Sequence, residues 1–173
     1  SAEASHGFYD RALEAVRPLG DRIQAIVTTD PADVPDPPEH VLVRTRVPVL
    51  ELMPQLDAVV SHGGLNTVCE ALAHGVPLVV APIKGDQPIN AAQVQAAGAG
   101  IRVSFARTRP EALRSAITSV LEDPAIRKSA AAVRESFAAA GGAGAAAEAL
   151  TRLADSGPAA SGREREGSLE SLS

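Results

Sequence analysis

A short apolar run that passes through a glycine-rich turn into a helix constrains the fold of this chain more than any other feature. Residues 58–60 are apolar and rich in β-branched side chains, which predicts a buried strand. The turn at residues 61–64 follows at once, and a helix is predicted from Leu65. A strand that leads directly into a helix is typical of a parallel sheet, so we expect an α/β fold.

The turn at residues 61–64 has the properties of an anion-binding site. A helix N-terminus carries free backbone N–H groups and a partial positive charge. Gly63 and Gly64 lack the Cβ atoms that would keep an oxyanion away from the backbone. The ring of His62 is placed to donate a further hydrogen bond, so we expect a diphosphate at this turn.

Polar side chains in the predicted helix extend this site. Asn66 and Thr67 offer donors inside the first turn, and Glu70 lies on the same helix face as Thr67. A carboxylate deeper than the anion can accept hydrogen bonds from two neighbouring sugar hydroxyls. The alternative is an ordinary tight turn followed by a solvated Glu70. The ordered set of polar and glycine residues makes this alternative the less favoured one.

In this order and spacing, the residues resemble the C-terminal, donor-binding half of the UDP-glycosyltransferase family. This family of two-domain enzymes includes plant secondary-product and bacterial macrolide or antibiotic glycosyltransferases. The resemblance covers residues 23–154 and implies a UDP- or dTDP-sugar as the donor substrate. It assigns the diphosphate to His62, Gly63, Gly64, Asn66 and Thr67, the ribose to Glu70, and the sugar to Asp86 and Gln87.

The position that binds the base departs from the family pattern. Family members usually carry an aromatic residue, often Trp, just before a Val-Pro pair, and it stacks on the pyrimidine. This chain has Arg46 before Val47 and Pro48. Either the planar guanidinium of Arg46 stacks on the base instead, or Arg46 is a surface cation and the stacking is lost. The resemblance implies that Val47 binds the base edge through its backbone.

Alternating patterns along the chain predict a Rossmann-like parallel sheet with helices on both faces. The predicted strands cover residues 23–27, 41–43, 58–61, 78–81 and 101–103. Ligands of such sheets bind at the carboxyl ends of the strands, which is where Val47, His62 and Asp86 fall.

The second part of the chain is predicted to be helical. Thr108 and Glu111 have the spacing of a capping box, which predicts that Thr108 caps a helix. Residues 141–144 are expected to break the helical pattern before an alanine-rich helix at residues 145–154. We predict one domain over residues 1–155 and a disordered tail over residues 156–173, which lacks periodic apolar residues.

Composition limits the partners of the chain. The 173 residues carry a formal net charge of −5 without a cluster of Lys or Arg, which argues against nucleic-acid or anionic-membrane binding. No stretch has the ~20 apolar residues of a membrane helix, and no signal peptide is recognised, so a cytoplasmic chain is expected. Cys69 is the single cysteine, and no Asp-x-Asp pair lies near the turn. We therefore expect no metal and no cofactor besides the donor sugar.

The resemblance implies that parts of the enzyme lie outside this sequence. In the family, this half opens with a central strand, and a separate N-terminal half binds the acceptor and supplies the histidine that deprotonates it. The chain begins with Ser1 in a helical pattern, so a truncated or excised chain without the central strand is expected. No catalytic residue is predicted, since His6, His40 and His74 are poorly placed to act as the base.

The favoured function is the donor-binding part of an inverting glycosyltransferase that transfers a hexose to a hydroxyl of a small-molecule acceptor. The missing N-terminal domain would bind that acceptor, so the chain alone is expected to be inactive. Two alternatives stay open at this point. One is a non-catalytic nucleotide-sugar-binding subunit of a split glycosyltransferase, and the other is a nucleotide-sugar epimerase-like protein.

Overall fold

Short parallel strands alternate with helices in the computed structural model, which describes residues 2–155. The described strands are β1 (Ala25–Thr28), β2 (Val41–Arg44), β3 (Val59–Ser61), β4 (Leu78–Val80) and β5 (Gly100–Arg102). The described helices are α1 (Ala2–Val16), α2 (Val49–Leu52), α3 (Leu65–Ala73), α4 (Gln87–Ala96), α5 (Pro110–Glu122), α6 (Pro124–Ala139) and α7 (Gly142–Asp155). The predicted α/β class is confirmed.

The strands form two parallel sheets. β1 pairs with β2, and β3, β4 and β5 pair in that order. Within residues 2–155, no strand pairing joins the two sheets. In the classic doubly wound order, two strands lie on one side of the first strand and three lie on the other. The observed sheets match these two groups, in agreement with a Rossmann-like sheet without its central strand.

One layer of helices packs on both sheets. The same cluster of buried side chains contains Val43 of β2, Val79 of β4, Ala15 of α1 and Leu113 of α5. Burial of each of the larger aliphatic side chains contributes about 1.5–3 kcal/mol. The hydrophobic core therefore joins two sheets between which the described residues form no strand pairing.

The opposite layer covers the three-stranded sheet. Leu78 and Val80 of β4 pack there with residues of α3 and α4 and with Ala130 of α6. On the two-stranded sheet, the paired side chains of Ile26 and Leu42 are 40% and 44% exposed. Helices thus lie on both faces of the three-stranded sheet, as predicted, and the carboxyl ends of β3 and β4 project between the layers.

The start of α5 differs from the prediction. The hydroxyl of Thr108 accepts a hydrogen bond from the backbone N–H of Ser104 at 2.8 Å, and Arg109 is the N-cap, without a side-chain hydrogen bond. α5 begins with Pro110, whose fixed φ suits the first helical position. The predicted capping box was wrong because the turn after β5 engages the Thr108 hydroxyl.

The described residues divide into two compact units, one up to Ala138 and one from Ala139. The second unit contains α7, which begins at Gly142, so the predicted break through residue 144 was wrong. A glycine inside a helix costs roughly 0.5–1 kcal/mol, and the surrounding alanines outweigh this cost. The predicted tail at residues 156–173 lies outside the described residues.

Within residues 2–155, none of the helices has both the length and the apolar character of a membrane-spanning helix.

Candidate functional site

The turn between β3 and α3 contains two glycines, and a side chain does not fit at the first of them, Gly63. Gly63 has a φ of 84°, and a Cβ on it would lie 2.6 Å from Cγ1 of Val80. Gly64 is the N-cap of α3, and a Cβ on it would lie 2.9 Å from Nε2 of His62. The turn is held from within by a hydrogen bond of 3.1 Å from the Gly63 N–H to the Ser61 hydroxyl. Its shape therefore depends on Gly63, whose φ is left-handed.

The N-terminus of α3 is open. No side chain caps it, so the first N–H groups of the helix have no intrahelical acceptor. The ring of His62 is exposed and lies against Gly64, beside these N–H groups. Asn66 is exposed and Thr67 is half-buried in the first turn. Free donors, the positive end of the helix dipole and an imidazole thus meet at one place, which suits an anion.

Glu70 lies further along α3. Its side chain is half-buried, and within residues 2–155 its carboxylate has no hydrogen-bond or ion-pair partner. Such a carboxylate is free to accept hydrogen bonds from a ligand. The predicted pairing of Glu70 with a ribose stays a prediction.

The loop between β4 and α4 contains Asp86 and Gln87. Oε1 of Gln87 accepts hydrogen bonds from the backbone N–H groups of Ile83 and Lys84, at 2.8 and 3.0 Å. The carbonyl end of the Gln87 amide therefore closes the loop, and its NH₂ end is left for another partner. Asp86 is exposed and is the N-cap of α4. Oδ2 of Asp86 accepts a hydrogen bond of 2.9 Å from Nδ2 of Asn90.

Asn90 connects this loop to the glycine turn. Its side chain is 6% exposed, and its Nδ2 also donates to the carbonyl oxygen of Gly63 at 2.9 Å. The Cβ that Gly63 lacks would lie 3.5 Å from the carbonyl oxygen of Gln87. The structure thus brings together the residues predicted for the diphosphate and those predicted for the sugar. Sequence reasoning missed Asn90, although its place four residues after Asp86 was a usable signal.

The two residues predicted to bind the base lie apart from this contact. Arg46 and Val47 follow β2, in the two-stranded sheet, where Arg46 is exposed and Val47 is half-buried. No described hydrogen bond or ion pair links either residue to the turn or to the loop. The guanidinium of Arg46 has no partner within residues 2–155. Stacking of Arg46 on a base therefore stays a prediction.

The rings of two other described histidines contact backbone carbonyl oxygens at helix ends. Nε2 of His40 lies 3.1 Å from the carbonyl oxygen of Val16, at the end of α1. Nδ1 of His74 lies 2.8 Å from the carbonyl oxygen of Glu70, and His74 is the C-cap of α3. The side chain of His6 lies outside the described part. His40 and His74 thus contact backbone carbonyl oxygens at helix ends, and the prediction that neither is a catalytic base stays a prediction.

Surface cavities of about 480 and 550 Å³ lie elsewhere on the part of the chain that the structure describes, and neither of these two is lined by His62 or Glu70. The larger cavity is lined in part by Pro82 and Ile83 of the loop before α4. Among the described residues, no three His, Cys, Asp or Glu side chains are grouped to hold a metal ion.

The chain is similar to known proteins over most of its length. The chain matches the family model of the erythromycin biosynthesis protein CIII-like C-terminal domain over residues 13–153. It is 37% identical over 129 residues to 4'-demethylrebeccamycin synthase of Lentzea aerocolonigenes, covering 73% of this chain and 31% of that protein. It is 34% identical over 145 residues to NDP-glycosyltransferase YjiC of Bacillus licheniformis, covering 83% of this chain and 37% of that protein.

A solved structure, that of the glycotransferase of kitacinnamycin, superimposes with a TM-score of 0.77 at 33% identity. The superposition covers 84% of this chain and 39% of the other. The chain thus spans between 31% and 39% of the length of these three proteins.

Proposed function

The chain belongs to the family of erythromycin biosynthesis protein CIII-like C-terminal domains, and we propose that it binds the nucleotide-sugar donor of an inverting glycosyltransferase. The observation that carries this proposal is the contact of the glycine turn with the loop before α4. Gly63 and Asp86 both accept from the amide of Asn90, so an anion site and an exposed carboxylate lie side by side. A diphosphate joined to a sugar matches this pair of sites.

The residues have the following roles in the proposal. The first N–H groups of α3, with His62, Asn66 and Thr67, hold the diphosphate of a UDP- or dTDP-sugar. Glu70 accepts from the ribose hydroxyls. Asp86 and the NH₂ end of Gln87 bind the hexose, while Arg46 and the backbone of Val47 bind the base.

The transfer of the sugar depends most on the diphosphate site. An acceptor hydroxyl attacks the anomeric carbon from the face opposite the diphosphate, which leaves with added negative charge. His62 and the positive end of α3 stabilise that charge where it develops. The base that deprotonates the hydroxyl and the surface that binds the small-molecule acceptor belong, in this proposal, to another part of the protein.

We also propose that no metal ion takes part, because the N-terminus of α3 and His62 neutralise the charge of the diphosphate. The single cysteine suits a reducing compartment, which supports a cytoplasmic location. The comparisons do not favour the two alternatives, an epimerase-like protein and a non-catalytic subunit, because related proteins carry glycosyltransferase names.

Calorimetric titration of the chain with UDP, dTDP and GDP tests the proposal. We expect UDP or dTDP to bind, and GDP to bind more weakly because the site accepts a pyrimidine. Absence of binding by all three nucleotides contradicts the proposal. Equal binding of GDP and UDP contradicts the assigned base site but not the diphosphate site.

A further inference from the structure

We propose that Asn90 is a positioning residue that couples the diphosphate-binding turn to the sugar-binding carboxylate. This inference rests on the proposed function. It concerns how the diphosphate-binding turn and the sugar-binding carboxylate are held in a fixed relative position. Asn90 itself contacts no ligand in the proposal. It acts through Gly63 and Asp86.

Both protons of the Asn90 amide are used at the site. A side-chain amide has two N–H donors on one nitrogen. Nδ2 of Asn90 lies 2.9 Å from the Gly63 carbonyl oxygen and 2.9 Å from Oδ2 of Asp86. One planar group therefore joins two segments. Gly63 lies 27 residues before Asn90 in the sequence, and Asp86 lies one helical turn before it.

The bond to Gly63 also orients the turn. The peptide bond between Gly63 and Gly64 is trans, so its C=O and N–H point in opposite directions. Because Asn90 holds the Gly63 carbonyl oxygen toward α4, the Gly64 N–H points away from α4. The same bond engages a carbonyl oxygen that would otherwise repel an anion at the turn. Loss of the amide therefore weakens diphosphate binding.

The bond to Asp86 fixes the sugar-binding carboxylate. Oδ2 is held by the buried amide, so the remaining acceptor sites of the exposed side chain face outward. Without Asn90, this carboxylate is free to change rotamer, and its hold on a hexose is weakened. Since one amide serves both segments, the extra affinity that the hexose adds should depend on Asn90 as strongly as on Asp86.

The test measures affinities for UDP and UDP-glucose, with dTDP and dTDP-glucose in parallel, on the full chain. For Asn90→Ala we expect about tenfold weaker binding of the nucleotide, the size of a buried hydrogen bond. We also expect the preference for the nucleotide sugar over the nucleotide to fall to the level of Asp86→Ala. The double variant Asp86→Ala/Asn90→Ala should reduce that preference no further, because the two residues act as one unit.

Val94→Ala is the matched control. Val94 lies on the same helix, is 2% exposed and makes no contact with the turn or the loop through a hydrogen bond. Its substitution should lower the melting temperature but leave both affinities within about twofold, since it leaves the polar contacts in place. An equal loss of the sugar preference in Val94→Ala and Asn90→Ala overturns the inference, because the effect would then be one of general destabilisation.

Asn90→Ser keeps the test decisive if the alanine variant does not fold. A hydroxyl has one donor proton, so serine serves one acceptor and not both. We expect one of the two properties, nucleotide affinity or sugar preference, to fall. Retention of both at the wild-type level overturns the bridging role. Failure of the unsubstituted chain to bind any nucleotide overturns the proposed function and this inference with it, which distinguishes that result from an ineffective Asn90 variant.

Discussion

Nε2 of His62 lies 2.9 Å from the point where a Cβ on Gly64 would sit, so the imidazole rests directly on the N-cap of α3. This contact places a ring N–H beside the free backbone donors of the helix. The left-handed φ of 84° accounts for the glycine at position 63. At position 64 the absence of a Cβ leaves room for the His62 ring.

Replacement of His62 by alanine should weaken UDP binding by about 1–3 kcal/mol, the range of a hydrogen bond to a charged group. Calorimetry on the folded variant measures this loss. His74→Ala is the control, because His74 is an exposed histidine at the other end of the same helix. Unchanged affinity in His62→Ala would show that the diphosphate binds elsewhere.

Glu70→Ala should cost more affinity for UDP than for a UDP analogue without ribose hydroxyls. The reason is that the carboxylate has no partner among the described residues and is proposed to meet the ribose. Competition binding with both nucleotides gives the two losses. Glu111→Ala, on the exposed start of α5, serves as the control. Equal losses for the two nucleotides would remove Glu70 from the ribose site.

Asp86→Ala should lower the affinity for UDP-glucose while changing the affinity for UDP by no more than about twofold, because Asn90 can keep its hydrogen bond to Gly63 when Asp86 is absent. Asp86 is exposed on the loop before α4 and lies outside the diphosphate turn. Paired titrations with the two ligands measure the difference. A parallel loss for both ligands would assign Asp86 to the fold instead of the sugar.

Chelation should leave donor binding unchanged. We propose that His62 and the N-terminus of α3 neutralise the diphosphate, so EDTA should not alter the affinity for UDP. Titrations with and without EDTA, followed by added magnesium, provide the comparison. A loss of binding in EDTA that magnesium restores would contradict the proposal.

The chain of 173 residues should bind a donor and transfer no sugar. His40 and His74 are engaged at helix ends, and His62 is assigned to the diphosphate, so no described histidine is left as the acceptor base. Incubation with UDP-glucose and small phenolic or alcoholic acceptors, followed by mass spectrometry, detects any product. Glycosylated product formed by this chain alone would show that catalysis needs no further domain.

Local signals made α3 predictable to the residue. Gly64 precedes it and Gly75 follows it, and the observed helix is Leu65–Ala73. The strand predicted at residues 23–27 instead begins at Ala25, because its start is set by pairing with Val41. Strand ends depend on partners distant in sequence, which no local pattern contains.

The turn of the candidate site was predictable because His62, Gly63 and Gly64 are consecutive. The diphosphate assigned to this turn stays a prediction. Asn90 was missed because one of its partners lies 27 residues away. At Thr108 a local pattern led to a wrong prediction. Its hydroxyl accepts a hydrogen bond from the Ser104 N–H instead of capping α5.

Helices α1 and α5 pack on both sheets, and this shared layer affects how the protein unfolds. In the described residues β4 is the strand with neighbours on both edges, and its Val79 is fully buried under that layer. We therefore expect the backbone amides of β4 to exchange most slowly among the described strands, because β1, β2, β3 and β5 each lie at a sheet edge. Because Val43 and Val79 share one core, loss of either sheet exposes apolar surface of the other. We therefore expect the two sheets to unfold as one cooperative unit, although no backbone ladder joins them within residues 2–155.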